Sequence, residues 1–329
     1  MSDVARAAGV STMTVSNVVN GRPHVREETR ARVVEAIDAL GYRMNLAARN
    51  LRAGRTGVIG LAVPDLGSPY FSHLSELFMT RFEDEGVRVV VERTGASRAG
   101  ELEAASFSRL RMYDGLVLSA VGLGAEDVAQ LPTTFPTVLL GERALDQRFD
   151  HVMMANREGS RLAVAHLLER GCRRVVALGG TLHGETSMST LRTDGYRDAH
   201  AAAGIPMPAD LVIGTAQTLE GGERTAHELL DRGTPFDGVF AYTDQVAMGF
   251  IRGLADRGVT VPGDVLVVGF DDVPAAAHHL PRLSSVHPDH AGMVDAVSRL
   301  LLRRIAGDDS PRELVTAVAH LEVRESSVR

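Results

Sequence analysis

Residues 4–16 read VARAAGVSTMTVS, and this stretch decides how the start of the chain folds. Its first five residues give a short helix a small apolar face, and Gly9 ends that helix because glycine adopts a left-handed backbone at little cost. Ser11 is placed to cap a second helix, predicted from Thr12 to about Val19, whose valines recur at helical spacing. The stretch therefore predicts two short helices that pack at a steep angle across a glycine turn.

A third helix is predicted to complete this small unit. It runs from about Glu27 to Leu40, where apolar residues recur at helical spacing and two glutamates lie at the positive end. With a first helix from about Asp3 to Ala8, the unit is all-α and has a small core. The arginine-rich residues 42–55 follow, and they are too few to form a stable helix alone.

The charge of the chain is divided unevenly. Residues 1–55 hold nine arginines against five acidic residues, whereas the whole chain carries a net charge of −7. A basic head on an acidic body indicates that the head contacts a polyanion such as nucleic acid. The second predicted helix fits this role, because small polar residues at the start of a helix can reach base edges in the major groove.

From Gly57 onward, apolar runs of strand length alternate with amphipathic helical stretches. This alternation predicts parallel sheets covered by helices on both faces, and its length favours two α/β lobes over one sheet. Ligands of such folds bind beyond the carboxyl ends of the strands. The predicted strands are 58–63, 87–91, 115–118, 137–140, 174–178, 238–241 and 265–268, and the predicted helices are 71–85, 158–170, 190–203, 221–232 and 244–257.

Several classes of protein are excluded by what the sequence lacks. A chain with one cysteine, Cys172, forms no intrachain disulfide and no multi-cysteine metal site, which fits a reducing cytoplasm. All 35 basic residues are arginine, which excludes a Schiff-base lysine, and no serine lies in a Gly-x-Ser-x-Gly turn. No apolar run reaches the length of a membrane span, and residues 1–6 lack the pattern of a signal peptide. We therefore expect no enzyme, no cofactor and no membrane partner.

Four histidines in a short stretch form the group that most resembles a metal site. They lie in a region with prolines and have no fixed helical spacing, so packed or solvated histidines are the expected alternative. We expect no metal at these residues, which are His278, His279, His287 and His290.

The sequence closely resembles the LacI (lactose-repressor, GalR-type) family of transcription regulators. In the head the resemblance rests on DVA (3–5), GVS (9–11), TVSNVVNG (14–21), VREETR (25–30) and LGYRMN (40–45). In the body it rests on RTGVIGL (55–61), PYF (69–71), DGL (114–116), RTDGY (192–196), VVGFDD (267–272) and VRES (323–326). The resemblance thus spans nearly the whole chain.

The resemblance implies a small all-α helix-turn-helix head joined to a two-lobed α/β core, similar to periplasmic binding proteins, with parallel sheets. It assigns the head to residues 1–43, a hinge helix to residues 44–55, and the effector-binding and dimerisation core to residues 56–329. The chain is expected to cross between the lobes near residues 157, 285 and 314. The N-terminal lobe then holds about residues 57–157 and 286–314, and the C-terminal lobe about residues 158–285 and 315–329.

By position, the family resemblance implies two sets of DNA contacts. Thr12, Met13 and Asn17 are expected to read base edges, and Asn17 stands where many members carry arginine, so it suits adenine better than guanine. In the hinge, Ala48 is expected to enter the minor groove and Leu51 to wedge between base pairs. The remaining predicted DNA-binding residues of the head and hinge are Ser11, Thr14, Ser16, Asn20, Asn45 and Arg52.

The same resemblance places an effector site between the lobes. Arg192 and Asp244 align with the arginine and aspartate that hold ligand hydroxyls or a ring edge, and a fork of donors with two acceptors fits that task. Tyr70 and Phe71 follow the first strand and are expected to stack on a sugar or a base. A sugar is the expected effector, and a purine or nucleoside is the alternative. Weaker candidates for the site are Asp65, Ser119, Glu142 and Asp271.

The sequence thus predicts a cytoplasmic, sequence-specific transcription regulator, expected to be a repressor, whose affinity for operator DNA is controlled by a small molecule. A homodimer is expected to read a pseudo-palindromic duplex, because protein and site share a two-fold axis. The chain ends shortly after residue 324 without a tetramer-forming heptad, which favours the dimer. One rival is a sugar-binding receptor without a DNA role, which needs a signal peptide and no basic head. The other is an α/β enzyme, which would turn over a candidate sugar.

Overall fold

The computed structural model of the protein describes residues 1–19, 22–23, 25–41, 55–142 and 147–329. The chain forms two compact units, Met1–Thr56 and Gly57–Arg329. The first is an all-α head, and the second is an α/β core built on two six-stranded sheets. The predicted fold class, a helical head with a two-lobed core of mostly parallel strands, is confirmed. Among the described residues, the helices lack the combination of length and apolar character that crossing a bilayer requires.

The head consists of α1 (Ser2–Ala8), α2 (Thr12–Val19) and α3 (Glu27–Ala39), close to the predicted bounds. Gly9 ends α1 in the left-handed conformation, with φ 64°. The Ser11 hydroxyl caps α2 by accepting a hydrogen bond at 3.1 Å from the amide three residues on. Small side chains let the three helices pack closely, and the buried core consists of Val4, Ala5, Ala8, Val15, Val18, Val33 and Ala36.

The N-terminal lobe is a parallel sheet covered by helices. Its strands are β1 (Val58–Val63), β2 (Arg88–Arg93), β3 (Gly115–Ser119), β4 (Thr137–Leu140), β5 (Asp150–Met153) and β11 (Leu314–Thr316). They pair in the order β11-β5-β4-β3-β1-β2. The helices of this lobe are α4 (Pro69–Glu83), α5 (Arg98–Ala104), α6 (Phe107–Leu110), α7 (Ala125–Val128) and α12 (His290–Ile305). The inner strands are almost entirely buried, which explains their continuous apolar sequence.

The C-terminal lobe repeats this architecture. Its strands are β6 (Val175–Leu178), β7 (Val212–Ile213), β8 (Gly238–Ala241), β9 (Leu266–Phe270), β10 (Ser284–His287) and β12 (His320–Glu322). They pair in the order β12-β10-β9-β8-β6-β7, with β12 antiparallel to β10 and the other pairs parallel. Its helices are α8 (Asn156–Glu169), α9 (Met188–Ala203), α10 (Leu219–Asp231) and α11 (Asp244–Asp256).

The structure adds elements that the sequence does not predict. The five added strands are β5, β7, β10, β11 and β12. Strands β7, β11 and β12 have only two or three residues, and β5 and β10 mix polar with apolar residues, so none shows the unbroken apolar run by which the four-residue β4, β6 and β8 are predicted. Helix α12 is also not among the predicted helices; it begins at His290, the last histidine of the region with prolines. Its apolar side chains between Met293 and Leu301 recur at helical spacing and belong to the core cluster of the N-terminal lobe.

The chain passes between the lobes after β5 into α8, after β10 into α12, and between β11 and β12. These passages fall at residues 154–155, 288–289 and 317–319. They lie a few residues from the predicted positions 157, 285 and 314. The difference arises because β10 continues to His287 within the C-terminal sheet, and β11 pairs with β5 in the N-terminal sheet.

A buried ion pair fixes the elements next to these passages. Asp150 on β5 is fully buried and accepts hydrogen bonds from Arg304 on α12, at 2.6 Å from Nε and 2.9 Å from Nη2. It also accepts one from the Glu313 amide, just before β11, at 2.8 Å. Because both carboxylate oxygens are hydrogen-bonded, this pair meets the condition under which buried charges are tolerated. It holds β5, α12 and β11 in one arrangement.

Candidate functional site

A cavity of about 420 Å³ lies between the two sheets of the core. Its walls are formed by segments that follow β1 to β5 in one lobe and β6 to β9 in the other. It therefore lies beyond the carboxyl ends of the strands, where the sequence predicts a ligand site. Its size falls within the range of small-molecule sites, roughly 300–1,000 Å³. Its polar and charged lining residues are Asp65, Ser68, Tyr70, Glu142, Thr186, Ser187, Ser189, Arg192, Gln217, Thr243, Gln245 and Asp271.

Arg192 is held in a fixed position in the cavity wall, with 2% of its side chain exposed. Its Nε donates to Asn156 Oδ1 at 2.7 Å, and its Nη1 donates to the Tyr242 carbonyl oxygen. Its Nη2 lies 3.6 Å from Asp271 Oδ1. The guanidinium carbon lies 3.5 Å from the centroid of the Phe270 ring, which adds a cation–π contact. These contacts aim a rigid fork of donors at the cavity.

Tyr70 and Phe71 lie at the start of α4, directly after Pro69 at its first position. Both line the cavity, and their rings meet edge to face with centroids 4.9 Å apart and planes at 71°. Burial raises the pKa of Tyr70, and the nearby Asp271 and Glu142 add to the rise, so the phenol stays neutral. The pair offers an apolar surface with a hydroxyl at one edge, on which a sugar or base ring can pack.

Three carboxylates line the cavity: Asp65, Glu142 and Asp271. Asp271 is the most buried, and its backbone adopts φ 111°, which is strained for a residue with a side chain. Burial raises the pKa of Asp271; Arg192 opposes this rise and Glu142 adds to it. Arg192 is the one basic residue of the wall among the residues that the structure describes, so this wall is acidic overall.

Two predicted effector residues do not line the cavity. Asp244 is fully buried behind the wall, where its carboxylate accepts hydrogen bonds from Ser285 Oγ at 2.5 Å and from the Val273 amide at 2.9 Å. Ser119 is the last residue of β3, which is one residue longer than predicted, so this side chain is buried in the sheet; Val121, two residues on, lines the cavity instead. The acidic residue beside Arg192 in the cavity wall is therefore Asp271, and not Asp244 as predicted.

The sequence does not single out Gln217, Thr243 and Gln245, although all three line the cavity. Thr243 Oγ1 donates to Gln217 Oε1 at 3.4 Å, which links the segments after β8 and β7. Thr243 and Gln245 flank Asp244, so the strand-end argument finds the correct segment without finding the correct side chain. Gln217 follows β7, which has only two residues and gives no sequence signal.

The histidines of the predicted metal-like group separate into two places. Two of them lie at the short 3-10 helix Pro274–His278, and the other two join a row of ring contacts at the second passage between the lobes. Neighbouring centroids in this row are 5.2, 5.0 and 4.8 Å apart. The Nε2 of His290 is buried and has no hydrogen-bond partner in the described part of the chain. The row runs His73, His290, His287, His320.

A different group has the spacing that a metal ion requires. Among the described residues, the ligand atoms of Glu223, His227 and Asp256 lie within 4.8 Å of one another, and the histidine row does not form such a group. Arg252 already pairs with Asp256, so this group has a charge partner without a metal.

Protonation of His290 is expected to destabilise the core at mildly acidic pH. Burial lowers the pKa of His290 from 6.5 to about 4, and His287 and His73 add to the drop. The folded chain therefore keeps this ring neutral, whereas the unfolded chain protonates it below about pH 6.5. The contribution of this ring to the free energy of unfolding is therefore highest above about pH 6.5. It falls by about 3 kcal/mol as the pH falls from there to about 4.

The check is chemical unfolding of the unaltered chain and of His290→Phe between about pH 7.5 and pH 4.5. Phenylalanine fills the same space and takes no proton, so the unaltered chain should lose stability on acidification faster than the variant. His278→Gln, at an exposed position, serves as the control and should follow the unaltered chain. Parallel pH curves for His290→Phe and the unaltered chain would show that His290 is not kept neutral by the fold.

The head presents one face of α2 to solvent. Thr12 is exposed, 69% of Met13 is exposed, and Ser16 and Asn17 are half-buried, opposite the buried Val15. The Ser11 and Thr14 hydroxyls lie 2.9 Å apart, an arrangement that braces the start of the helix. The other predicted DNA contacts lie outside the described residues: Asn20, Asn45, Ala48, Leu51 and Arg52.

Comparisons with known proteins match both the head and the core to the same kind of protein, a bacterial transcription regulator. Residues 1–45 match the family described as bacterial regulatory proteins, lacI family, and residues 164–327 match a periplasmic binding protein-like domain. The chain is 32% identical over 316 residues to the HTH-type transcriptional regulator AscG of Escherichia coli K12, a match that covers 94% of each chain. Two similar solved structures each cover 99% of this chain and 98% of their own. They are the CelR–cellobiose complex, with 30% identity and TM-score 0.73, and the Lac repressor dimer bound to operator and the anti-inducer ONPF, with 26% identity and TM-score 0.80.

Proposed function

The chain belongs to the LacI family of bacterial DNA-binding transcription regulators, and we propose that it is a repressor whose operator affinity changes when an uncharged sugar occupies the cavity between its lobes. The observation that carries the proposal is the wall of that cavity. An aromatic pair, three carboxylates and one firmly held arginine converge on it from both lobes.

The charges of the wall support an uncharged ligand. The charge of Arg192 is already paired with Asp271, while its Nε and one Nη1 N–H donate to Asn156 and to the Tyr242 carbonyl, so other N–H groups of the guanidinium remain for a ligand. A phosphate or carboxylate group would face Asp271 and Glu142 without a free cation, which desolvation and like-charge repulsion make costly. Hydroxyl groups can donate to these carboxylates and accept from the arginine fork. A sugar also offers an apolar ring face to the aromatic pair.

A purine or nucleoside is the second candidate. Tyr70 and Phe71 form a surface on which a planar base can also stack, and Asp271 can accept a hydrogen bond from a ring or exocyclic N–H. The sugar is favoured because hydroxyl-binding side chains line both lobes, whereas a base presents polar groups only along its edge. The related CelR structure holds cellobiose, which supports the same choice.

We assign operator reading to the head. Thr12, Met13 and Asn17 of α2 are proposed to contact base edges, with the exposed Met13 side chain suited to a thymine methyl group. Ser11, Thr14, Ser16 and Asn20 are proposed to contact phosphates or brace the turn. Residues 44–55 are proposed as the hinge that enters the minor groove, through Asn45, Ala48, Leu51 and Arg52.

A homodimer is proposed to bind a pseudo-palindromic operator, because a dimer with two-fold symmetry presents two identical heads to two symmetry-related half-sites. The related Lac repressor was solved as a dimer on its operator. Sugar binding is proposed to favour one arrangement of the lobes, and the difference in operator affinity between arrangements is the coupling free energy. The protein is proposed to act by binding alone, without turnover, in the cytoplasm.

The test is selection of duplexes from a random pool by the full-length chain, followed by binding of the selected duplex in the presence of single compounds. D-Glucose, D-galactose, D-ribose, cellobiose, adenine and D-glucose 6-phosphate cover the alternatives. We expect a pseudo-palindrome to be enriched and one uncharged sugar to change its affinity by roughly 5- to 150-fold. An effect of the phosphorylated sugar alone, or of adenine alone, would overturn the effector class; no enriched sequence would overturn the regulator.

A further inference from the structure

The segment that carries Asp271 is strained, and a buried carboxylate holds it from behind. Asp271 and Asp272 have φ of 111° and 45°, a region disfavoured for residues with a side chain. Such conformations persist where the surroundings over-determine them. Asp244 supplies this hold: its Oδ2 accepts from the Val273 amide at 2.9 Å, and its Oδ1 accepts from Ser285 Oγ at 2.5 Å. The same Ser285 oxygen accepts from the Asp272 amide at 3.0 Å.

The fold is built to accommodate this carboxylate. A Cβ at Gly269 on β9 would lie 2.2 Å from Asp244 Oδ1, so glycine is needed there. Asp244 is fully buried, and burial raises the pKa of its carboxyl, with Asp271 adding to the rise. Capping of α11 does not require it, because Thr243 Oγ1 already accepts from the Val246 amide at 3.3 Å. Burying the Asp244 carboxylate is costly and the helix does not need it as a cap, so we expect its role to lie in the loop that it contacts.

We propose that Asp244 is a positioning residue of the effector site, which holds the Val273 amide directly and the Asp272 amide through Ser285, and thereby fixes the Asp271 carboxylate opposite Arg192. The ligand meets Asp271, and Asp244 acts only through it. The role of this geometry in effector binding rests on the proposed function, whereas the hold on the loop is a property of the free protein.

The loop has a second attachment, which allows Asp244 to be changed without releasing the segment entirely. Asp272 Oδ1 lies 2.7 Å from Arg324 Nη1, and that Nη1 also donates to the Leu283 carbonyl at 2.8 Å. A variant at Asp244 therefore tests the position of the loop more than the folding of the lobe.

The first arm of the test is amide hydrogen exchange in the ligand-free, full-length chain. Asp244→Ala removes the acceptor of the Val273 amide and the acceptor that orients the Ser285 hydroxyl, on which the Asp272 amide depends. Exchange at the amides of Asp272 and Val273 should therefore rise at least about tenfold. Ser285→Ala should release the Asp272 amide alone. Asp244→Asn keeps an acceptor for Val273 and an amide toward Ser285, so it should remain near the unaltered chain.

The matched control is Asp256→Ala, at the other end of the same helix, which should leave the loop unchanged. Unchanged exchange of the loop in Asp244→Ala would overturn the proposal. A uniform rise across β6 and β8 would overturn it too, because that pattern indicates general destabilisation. Equal exchange in the Asn and Ala variants would also overturn it, because the acceptor geometry would then not be what holds the loop.

The second arm uses the sugar, among D-glucose, D-galactose, D-ribose and cellobiose, that binds the unaltered chain. Asp244→Ala should weaken its binding at least about tenfold in the unaltered background and less than about twofold in an Asp271→Asn background, because Asp244 acts through Asp271. Equal losses in both backgrounds would overturn the positioning role. If none of the four sugars binds, the proposed effector class fails, while the exchange arm still decides the inference.

Discussion

Replacing Arg192 by methionine should weaken effector binding at least about a hundredfold, or about 2.7 kcal/mol, and abolish the effector's influence on operator binding. The guanidinium is the one cation of the described cavity wall, and Asn156, Tyr242 and Asp271 fix its orientation. A hydrogen bond to a charged group contributes about 1.5–3 kcal/mol, so losing the fork accounts for a loss of this size. Methionine keeps an apolar stem near the Phe270 ring and donates no hydrogen bond.

The fold should survive this change. Loss of the guanidinium leaves Asp271 buried near Glu142, but burial already raises the pKa of Asp271. Its carboxyl can therefore take up a proton instead of remaining as an uncompensated charge. The defect should appear in effector affinity, with operator binding in the absence of sugar changed by less than about twofold.

Isothermal titration with the sugar found by the operator assay measures the affinity. The matched control is Arg197→Met on the same helix, an exposed arginine that pairs with Asp194 and does not line the cavity. It should bind sugar as the unaltered chain does. Undiminished sugar affinity in the Arg192 variant would move the effector site away from this cavity.

The head could be predicted from the sequence because its determinants are local. Gly9 forces the end of α1, Ser11 caps α2, and the valines and alanines of the core repeat at helical spacing, so the bounds of α2 are as predicted. The inner strands β1, β4 and β8 could also be predicted from the sequence, because a strand that is buried on both faces needs an unbroken apolar run. The strands that are not predicted either have only two or three residues, as in β7, β11 and β12, or interrupt the apolar run with polar residues, as in β5 and β10.

The site was predictable only to the level of segments. The strand-end rule points to the segments after β1, β8 and β9, which do line the cavity, but it does not say which of several consecutive polar residues faces that cavity. At Asp244 and Asp271 the answer depends on a loop with positive φ, stabilised by a hydrogen bond to Ser285, which is distant in sequence. Such a loop has no sequence signal, because aspartate rarely adopts this conformation unless the surroundings impose it.

A chain that starts at residue 57 should lose sequence-specific DNA binding while its sugar response survives. Residues 57–329 form a compact unit with their own core clusters, so their folding does not need the head. Specific binding exceeds non-specific binding by roughly 10³- to 10⁷-fold, and the truncated chain should lose at least the lower figure. Anisotropy with the selected duplex measures this loss. Thermal unfolding measures the sugar response, which should reach about 2.7 kcal/mol at a sugar concentration of 100 Kd.

Two single changes on one helix separate the fold of the head from its reading of bases. Val15 is fully buried, so Val15→Asp places an unpaired charge in a small core and should reproduce the truncation. Met13 is 69% exposed, so Met13→Ala should leave the head folded and reduce discrimination against a scrambled duplex by roughly 1 kcal/mol, about fivefold. Full discrimination by Met13→Ala would move the reading surface to another face of the head. Binding of the selected duplex by residues 57–329 alone would remove operator binding from the head altogether, because the acidic core would then be contacting the phosphates.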